Sequence, residues 1–161
     1  MSRVLCMSLS TVFALVAGAV GAVAQTAQPA ANPKIVFVCE HGAAKSVIAT
    51  VYFNKIAAER GLPDRATYRG ANPQAELSVS ALKGLKEDGL TLPTAKPSPI
   101  TDTDVTAATH IFAIGCSLPS SATASGKADS WDDVPEDQGY AAQRDAIKRH
   151  VERLIDQLQK R

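Results

Sequence analysis

Residues 35–39 are Ile35, Val36, Phe37, Val38 and Cys39, a run with no polar member until its thiol. A segment this short, β-branched and apolar on both faces suits a strand covered by other structure above and below, as in a parallel sheet. Helices must supply that cover, and one follows at once. Across residues 46–60 the apolar positions Ile48, Val51, Tyr52 and Ile56 recur at helical spacing, and Gly61 with Pro63 stops them. The alternation then continues. Residues 66–69 read as a weaker strand ending in turn residues at Gly70, Asn72 and Pro73. Val79, Leu82 and Leu85 mark a second helix, with Gly89 at its end, and residues 91–99 carry three prolines and read as a loop. Residues 101–109 suit a short helix feeding the clearest other strand, 110–115. Residues 117–130, rich in Ser, Ala and Gly, read as a mobile loop. From Ala141 onward, Ile147, Val151, Leu154, Ile155 and Leu158 form an amphipathic helix. Strands and helices in this order predict an α/β fold: a three-layer α/β/α sandwich around a short parallel sheet.

The first 24 residues are expected to lie outside that fold. Arg3 is followed by an uncharged apolar stretch through Gly21, and Ala22, Val23 and Ala24 before Gln25 make a small-x-small cleavage site, so 1–24 reads as a secretory signal peptide. Residues 25–33, Ala-rich with two prolines, have little to bury and read as a disordered lead-in. The folded domain is expected at 34–161, in the periplasm or secreted. The whole chain has 17 Lys and Arg against 16 Asp and Glu. Removing Arg3 leaves 16 of each, a balance that offers no field for nucleic acid. Cys6 would leave with the peptide. Cys39 and Cys116 remain, without a CxxC pair, so neither a disulfide scaffold nor a structural metal is expected, and no cofactor is implied.

Chemistry concentrates at the end of the first strand. Cys39, Glu40, His41, Gly42, Ala43, Ala44, Lys45 and Ser46 join a strand to a helix, which places their backbone N–H groups where an anion can be held. Helix N-terminal charge, the Lys45 ammonium and a hydrogen bond from Ser46 all favour the thiolate, the nucleophilic form of Cys39. The small residues Gly42, Ala43 and Ala44 let backbone wrap a tetrahedral oxyanion. Taken alone, the same pattern also suits a buried cysteine that merely ends a core strand at a compact turn.

These residues resemble the opening of the low-molecular-weight protein tyrosine phosphatase superfamily, whose loop is a Cys, five residues, an Arg and a Ser. The likeness is nearest to its arsenate reductase branch, which often reads Cys-x-His-Asn-Ser-Ala-Arg-Ser and which Cys39, His41, Ala44 and Ser46 match. It extends through the strand before Cys116, the acidic segment around Trp131, Asp133, Pro135, Glu136 and Asp137, and the terminal helix. The resemblance implies Cys39 as nucleophile and residues 40–45 as the phosphate cradle. Glu136 or Asp137 becomes the acid that protonates the leaving oxygen, with Asp133 further back. Cys116 stands where the arsenate reductase branch has a resolving cysteine, and Thr123 where its relay cysteine would be. Lys45 departs from the family's arginine, and an ammonium cannot grip two oxygens as a planar guanidinium does. Glu40 would repel an anion unless it points outward or pairs with Lys45 or His41. Trp131 reads as a packing anchor.

Three functions follow as expectations. One is a hydrolase acting on phosphate monoesters, phosphotyrosine among them, through a phospho-Cys39 enzyme. Another is an arsenate reductase in which Cys116 resolves the Cys39 adduct as a disulfide, with a thiol as reductant; the two Cα atoms must then lie within about 7 Å. The third is a module that binds phosphate, another oxyanion or a phosphorylated protein without turnover.

Overall fold

The first strand alternates strictly. Ile35, Phe37 and Cys39 face one hydrophobic core while Val36 and Val38 face a second, so every position of β1 (Ile35–Cys39) is buried. The computed structural model describes residues 35–161; the expected signal peptide and lead-in lie outside them. β1 pairs in parallel with β2 (Ala66–Gly70) on one side and β3 (His110–Ala113) on the other, and β4 (Ala128–Ser130) extends the sheet beyond β3. The order is β2-β1-β3-β4.

Helices α1 (Lys45–Glu59), α2 (Val79–Glu87) and α5 (Gly139–Leu158) close the larger core, burying Val47, Ile48, Phe53, Leu85, Ile147 and Ile155 against the sheet. On the opposite face α3 (Asp102–Ala107) and α4 (Ser120–Ala124) contribute Val105 and Ala122 to the smaller core around Val36, Val38 and Ile111. The three-layer α/β/α sandwich around a short parallel sheet is therefore the observed fold. Local chemistry agrees with it. Ser78 caps α2 by accepting from the Ala81 N–H, and Thr101 with Asp104 forms a reciprocal capping box at the start of α3.

One expectation fails. Residues 117–130 are not a mobile loop: they hold α4 and β4. Neither carries a strong periodic signal, because α4 is a single turn of Ser, Ala and Thr, and β4 is a three-residue edge strand, half-buried to exposed. Pairing supplies what propensity lacks: Ile111 donates to the Lys127 carbonyl and Trp131 to the Ala113 carbonyl, bracketing β4 against β3. Trp131 is 5% exposed and lies against Phe37, Phe112 and His150, the packing anchor expected of it.

Candidate active site

The chain leaves β1 into a loop in which the carbonyls of Cys39, Glu40, His41 and Ala43 are all taken on one side. Ala71 donates to the Cys39 carbonyl at 3.0 Å, Asn72 to Glu40 at 2.7 Å, Gln74 to His41 at 3.2 Å and Ser78 to Ala43 at 3.0 Å. With its carbonyls turned toward the β2–α2 connection, the loop turns its N–H groups the other way. Among the described residues no backbone partner accepts from the N–H groups of residues 41–46. α1 also begins at Lys45 with no side-chain cap, so its first amides add to the same unpaired set.

This geometry requires close approach. Gly42 has φ +61°, and a Cβ there would sit 2.7 Å from the Gly70 nitrogen and 3.0 Å from the Arg69 carbonyl carbon. Gly70 is equally confined from its own side, by the Gly42 nitrogen at 2.9 Å. Two glycines on separate elements thus let the loop lie directly on the end of β2.

A cleft of about 470 Å³ opens over the loop, lined by Cys39, Glu40, His41, Ala43, Ala44 and Lys45. Cys39 lies at its floor, 3% exposed, with Sγ 3.1 Å from the Oγ of fully buried Ser46. The strand-to-helix turn brings together two residues seven apart, as their spacing predicts. Glu40 and His41 are exposed at the rim. His41 Nδ1 is 3.3 Å from the Asn72 carbonyl oxygen. Glu40 therefore points outward rather than pairing with Lys45 or His41.

Lys45 is 7% exposed, and its ammonium donates to Glu136 Oε1 across the loop that follows β3. Gly115, at φ +58°, leaves room for that pair: a Cβ there would meet both Glu136 Oε1 and Lys45 Nζ at 2.6 Å. Gln143 donates to the Glu136 carbonyl at 2.8 Å and ties the acidic segment to α5.

Of the three candidate acids only Glu136 reaches the cleft. Asp137 is exposed and does not line it. Asp133 lies 2.5 Å from His150 Nε2, and this contact holds its carboxyl below the ordinary range. Glu136 itself accepts from the Lys45 ammonium, a contact that must break before the carboxyl can turn to a ligand.

Cys116 does not line the cleft. It packs with Val36 and Val38 against the smaller core, whereas Cys39 belongs to the larger one. Its thiol donates to the Val38 carbonyl at 3.5 Å, and burial pushes it up to about 11. Both cysteines are free. Gln74, Ser78, Gly115 and Gln143, which the sequence did not single out as site residues, complete the lining. The hydrophobic pattern places their elements; only the tertiary fold brings the four to one cleft.

The architecture has close counterparts among solved structures. YfkJ from Bacillus subtilis superposes with a TM-score of 0.68 at 17% identity, over 80% of this chain and 95% of that one. A low molecular weight phosphotyrosine phosphatase from Vibrio cholerae O395 gives 0.64 at 15% identity, over 78% and 95%. An arsenate reductase from Archaeoglobus fulgidus gives 0.61 at 23%, over 76% and 99%. Similarities this remote establish the fold. No curated protein matches the sequence. Residues 34–117, from β1 through the Cys39 loop to the end of the β3 segment, match the low molecular weight phosphotyrosine protein phosphatase family, and the chain belongs to that family.

Proposed function

We propose that the protein is an exported, cysteine-dependent phosphatase acting on phosphate monoesters through a Cys39 phospho-enzyme. One observation carries this reading: a thiol 3.1 Å from a buried hydroxyl, at the floor of a cleft ringed by unpaired backbone N–H groups. In the first step the Cys39 thiolate attacks phosphorus, the ester P–O bond breaks, and the leaving oxygen departs with the electron pair and takes a proton. In the second, water gives a proton to the carboxylate left by the first step and attacks phosphorus, the P–S bond breaks to return the Cys39 thiolate, and inorganic phosphate leaves. The loop amides meet the equatorial oxygens where charge accumulates, a contribution that in other enzymes reaches roughly 100- to 1,000-fold per donor. Ser46 holds the sulfur in place. Glu136, the one of the three candidate acids that lines the cleft, protonates the leaving oxygen, and it serves as acid only after releasing Lys45. An arsenate reductase of the same fold, solved in a phosphate binding state, supports an oxyanion as the ligand here.

A binding module without turnover is the second reading, favoured by the Lys45–Glu136 pair, which withholds both the expected clamp and the expected acid. The arsenate reductase reading draws less support, since Cys116 packs toward the other core and its thiol stays protonated near neutral pH. Export rests on the sequence of residues 1–24 and is tested by a mature N-terminus at Gln25 in a periplasmic fraction.

Hydrolysis of p-nitrophenyl phosphate by the mature chain, with Cys39→Ser as control, decides between the first two. The phosphatase reading expects the substitution to remove activity by at least about 10⁴-fold, as loss of a nucleophile does elsewhere. Phosphate binding with no hydrolysis by the wild type would leave the binding module in its place.

A further inference from the structure

Lys45 and Glu136 are ninety-one positions apart, and their environments differ sharply. The Lys45 side chain is 9% exposed and that of Glu136 is 64% exposed. Lys45 starts α1, and its ammonium lies beside Gly115 in the wall of the cleft, where an incoming anion meets it. Glu136 can leave at small cost, because its carboxylate already faces solvent. A largely buried ammonium left without a counter-ion is costly. The pair therefore opens most readily when another anion takes the carboxylate's place.

We propose that Glu136 is a built-in counter-ion that an incoming oxyanion must displace from Lys45, and that it thereby sets the affinity of the Cys39 cradle. The inference rests on the cradle's being an oxyanion site and names a positioning residue acting through Lys45. Glu136 neutralises the Lys45 ammonium and keeps the lysine in place, at the expense of ligand affinity. The coupling is reciprocal: what Glu136 adds to the empty form is subtracted from binding. A phosphate that enters brings its own charge, releases Glu136 to solvent and inherits the ammonium together with the loop amides.

Calorimetric titration of the mature chain with inorganic phosphate tests this. Glu136→Gln keeps the side chain's size and removes its charge. It is expected to tighten phosphate binding by roughly 5- to 150-fold, the span of ordinary site-to-site couplings. In a Lys45→Met background the same change is expected to alter the Kd by less than a factor of about two, because the coupling runs through the ammonium. Thermal melts give a readout independent of that background. Glu136→Gln should lower the Tm of the phosphate-free protein and show the larger rise when phosphate is added. An unchanged or weakened Kd in Glu136→Gln overturns the inference, as does tightening that persists undiminished in Lys45→Met. A merely structural role for Glu136 would lower the Tm equally with and without phosphate, which also overturns it. If phosphate binds neither the wild type nor Glu136→Gln, the inference falls together with the oxyanion reading. Equal binding to both sinks the inference alone.

Discussion

The ends of β1 and β3 look alike in sequence and behave differently in space. Each is a short apolar strand delivering a cysteine into a loop that contains a left-handed glycine, Gly42 after β1 and Gly115 after β3. After β1 a helix starts at Lys45, its first amides are uncapped, and the loop carbonyls are drawn to residues 71–78, so Cys39 ends under an array of N–H groups. After β3 the chain runs through Ser117 and Leu118 to Pro119 before a single helical turn begins, and Cys116 turns its thiol to the Val38 carbonyl. A strand that ends in cysteine is thus only half of a site. The onset of the next helix, and the direction in which the carbonyls are tied, make the other half.

The comparison breaks most visibly at Gly42. Alanine there must adopt a left-handed conformation, costing about 1–2 kcal/mol, and meet backbone that cannot yield, adding about 1–3 kcal/mol. Urea melts of Gly42→Ala are therefore expected to show roughly 2–5 kcal/mol lost, together with phosphate binding.

Asp104 ranks next. It anchors α3, the helix that leads into β3, through a bidentate contact to Arg69 at the end of β2, at 2.8 and 2.9 Å. Burial alone would raise its carboxyl, but the hydrogen bonds from Arg69 and Thr101 outweigh it and hold the group below the ordinary range. A depressed folded-state value means stability that is complete above the unfolded value near 4 and lost as pH falls through the folded one. Asp104→Asn should cost about 1.5–3 kcal/mol near pH 7, and its disadvantage should shrink steadily in melts taken from pH 5 down to pH 2.

Gly115→Ala sharpens the contrast with Gly42. Its φ carries the same conformational cost of about 1–2 kcal/mol, but its new Cβ meets only the tips of Lys45 and Glu136, which can move. Less stability should be lost than in Gly42→Ala, and the ion pair rather than the loop should be disturbed. The smallest effect belongs to Cys116→Ser. With the Cys116 thiol pushed up to about 11, iodoacetamide at pH 8 should modify Cys39 alone and phosphate should slow it. The serine variant should hydrolyse p-nitrophenyl phosphate within about twofold of wild type, since in the phosphatase reading Cys116 touches no reacting atom. Labelling of Cys116 at a comparable rate, or a large loss of activity in the variant, would return it to the site.

Much of this was legible from residue order because the elements that carry it are locally consistent. β1 and β3 are short apolar runs, α5 has a clear helical period, α1 has clear stops, and the Cys39–Ser46 contact follows from a strand meeting a helix across a five-residue loop. What escaped was of two kinds. α4 and β4 are too short and too polar to signal themselves, and only pairing with β3 makes them regular. The partner of Lys45 is set by where α5 and the acidic segment dock, a tertiary fact that no local pattern of charge encodes. Glu136 was visible as an acid in the right segment; its attachment to Lys45 was not.

Trp131 stacks on His150 at 4.6 Å between ring centres and meets Phe112 at 5.0 Å, five residues before Glu136 along the same segment. The chain has one tryptophan. Its indole is thus an optical probe already built into the N-terminal side of the acidic segment. Any rearrangement there, whether exchange of the counter-ion or loss of the core beneath it, will be written into the emission of a single chromophore, without a label and without a second tryptophan to confuse the signal.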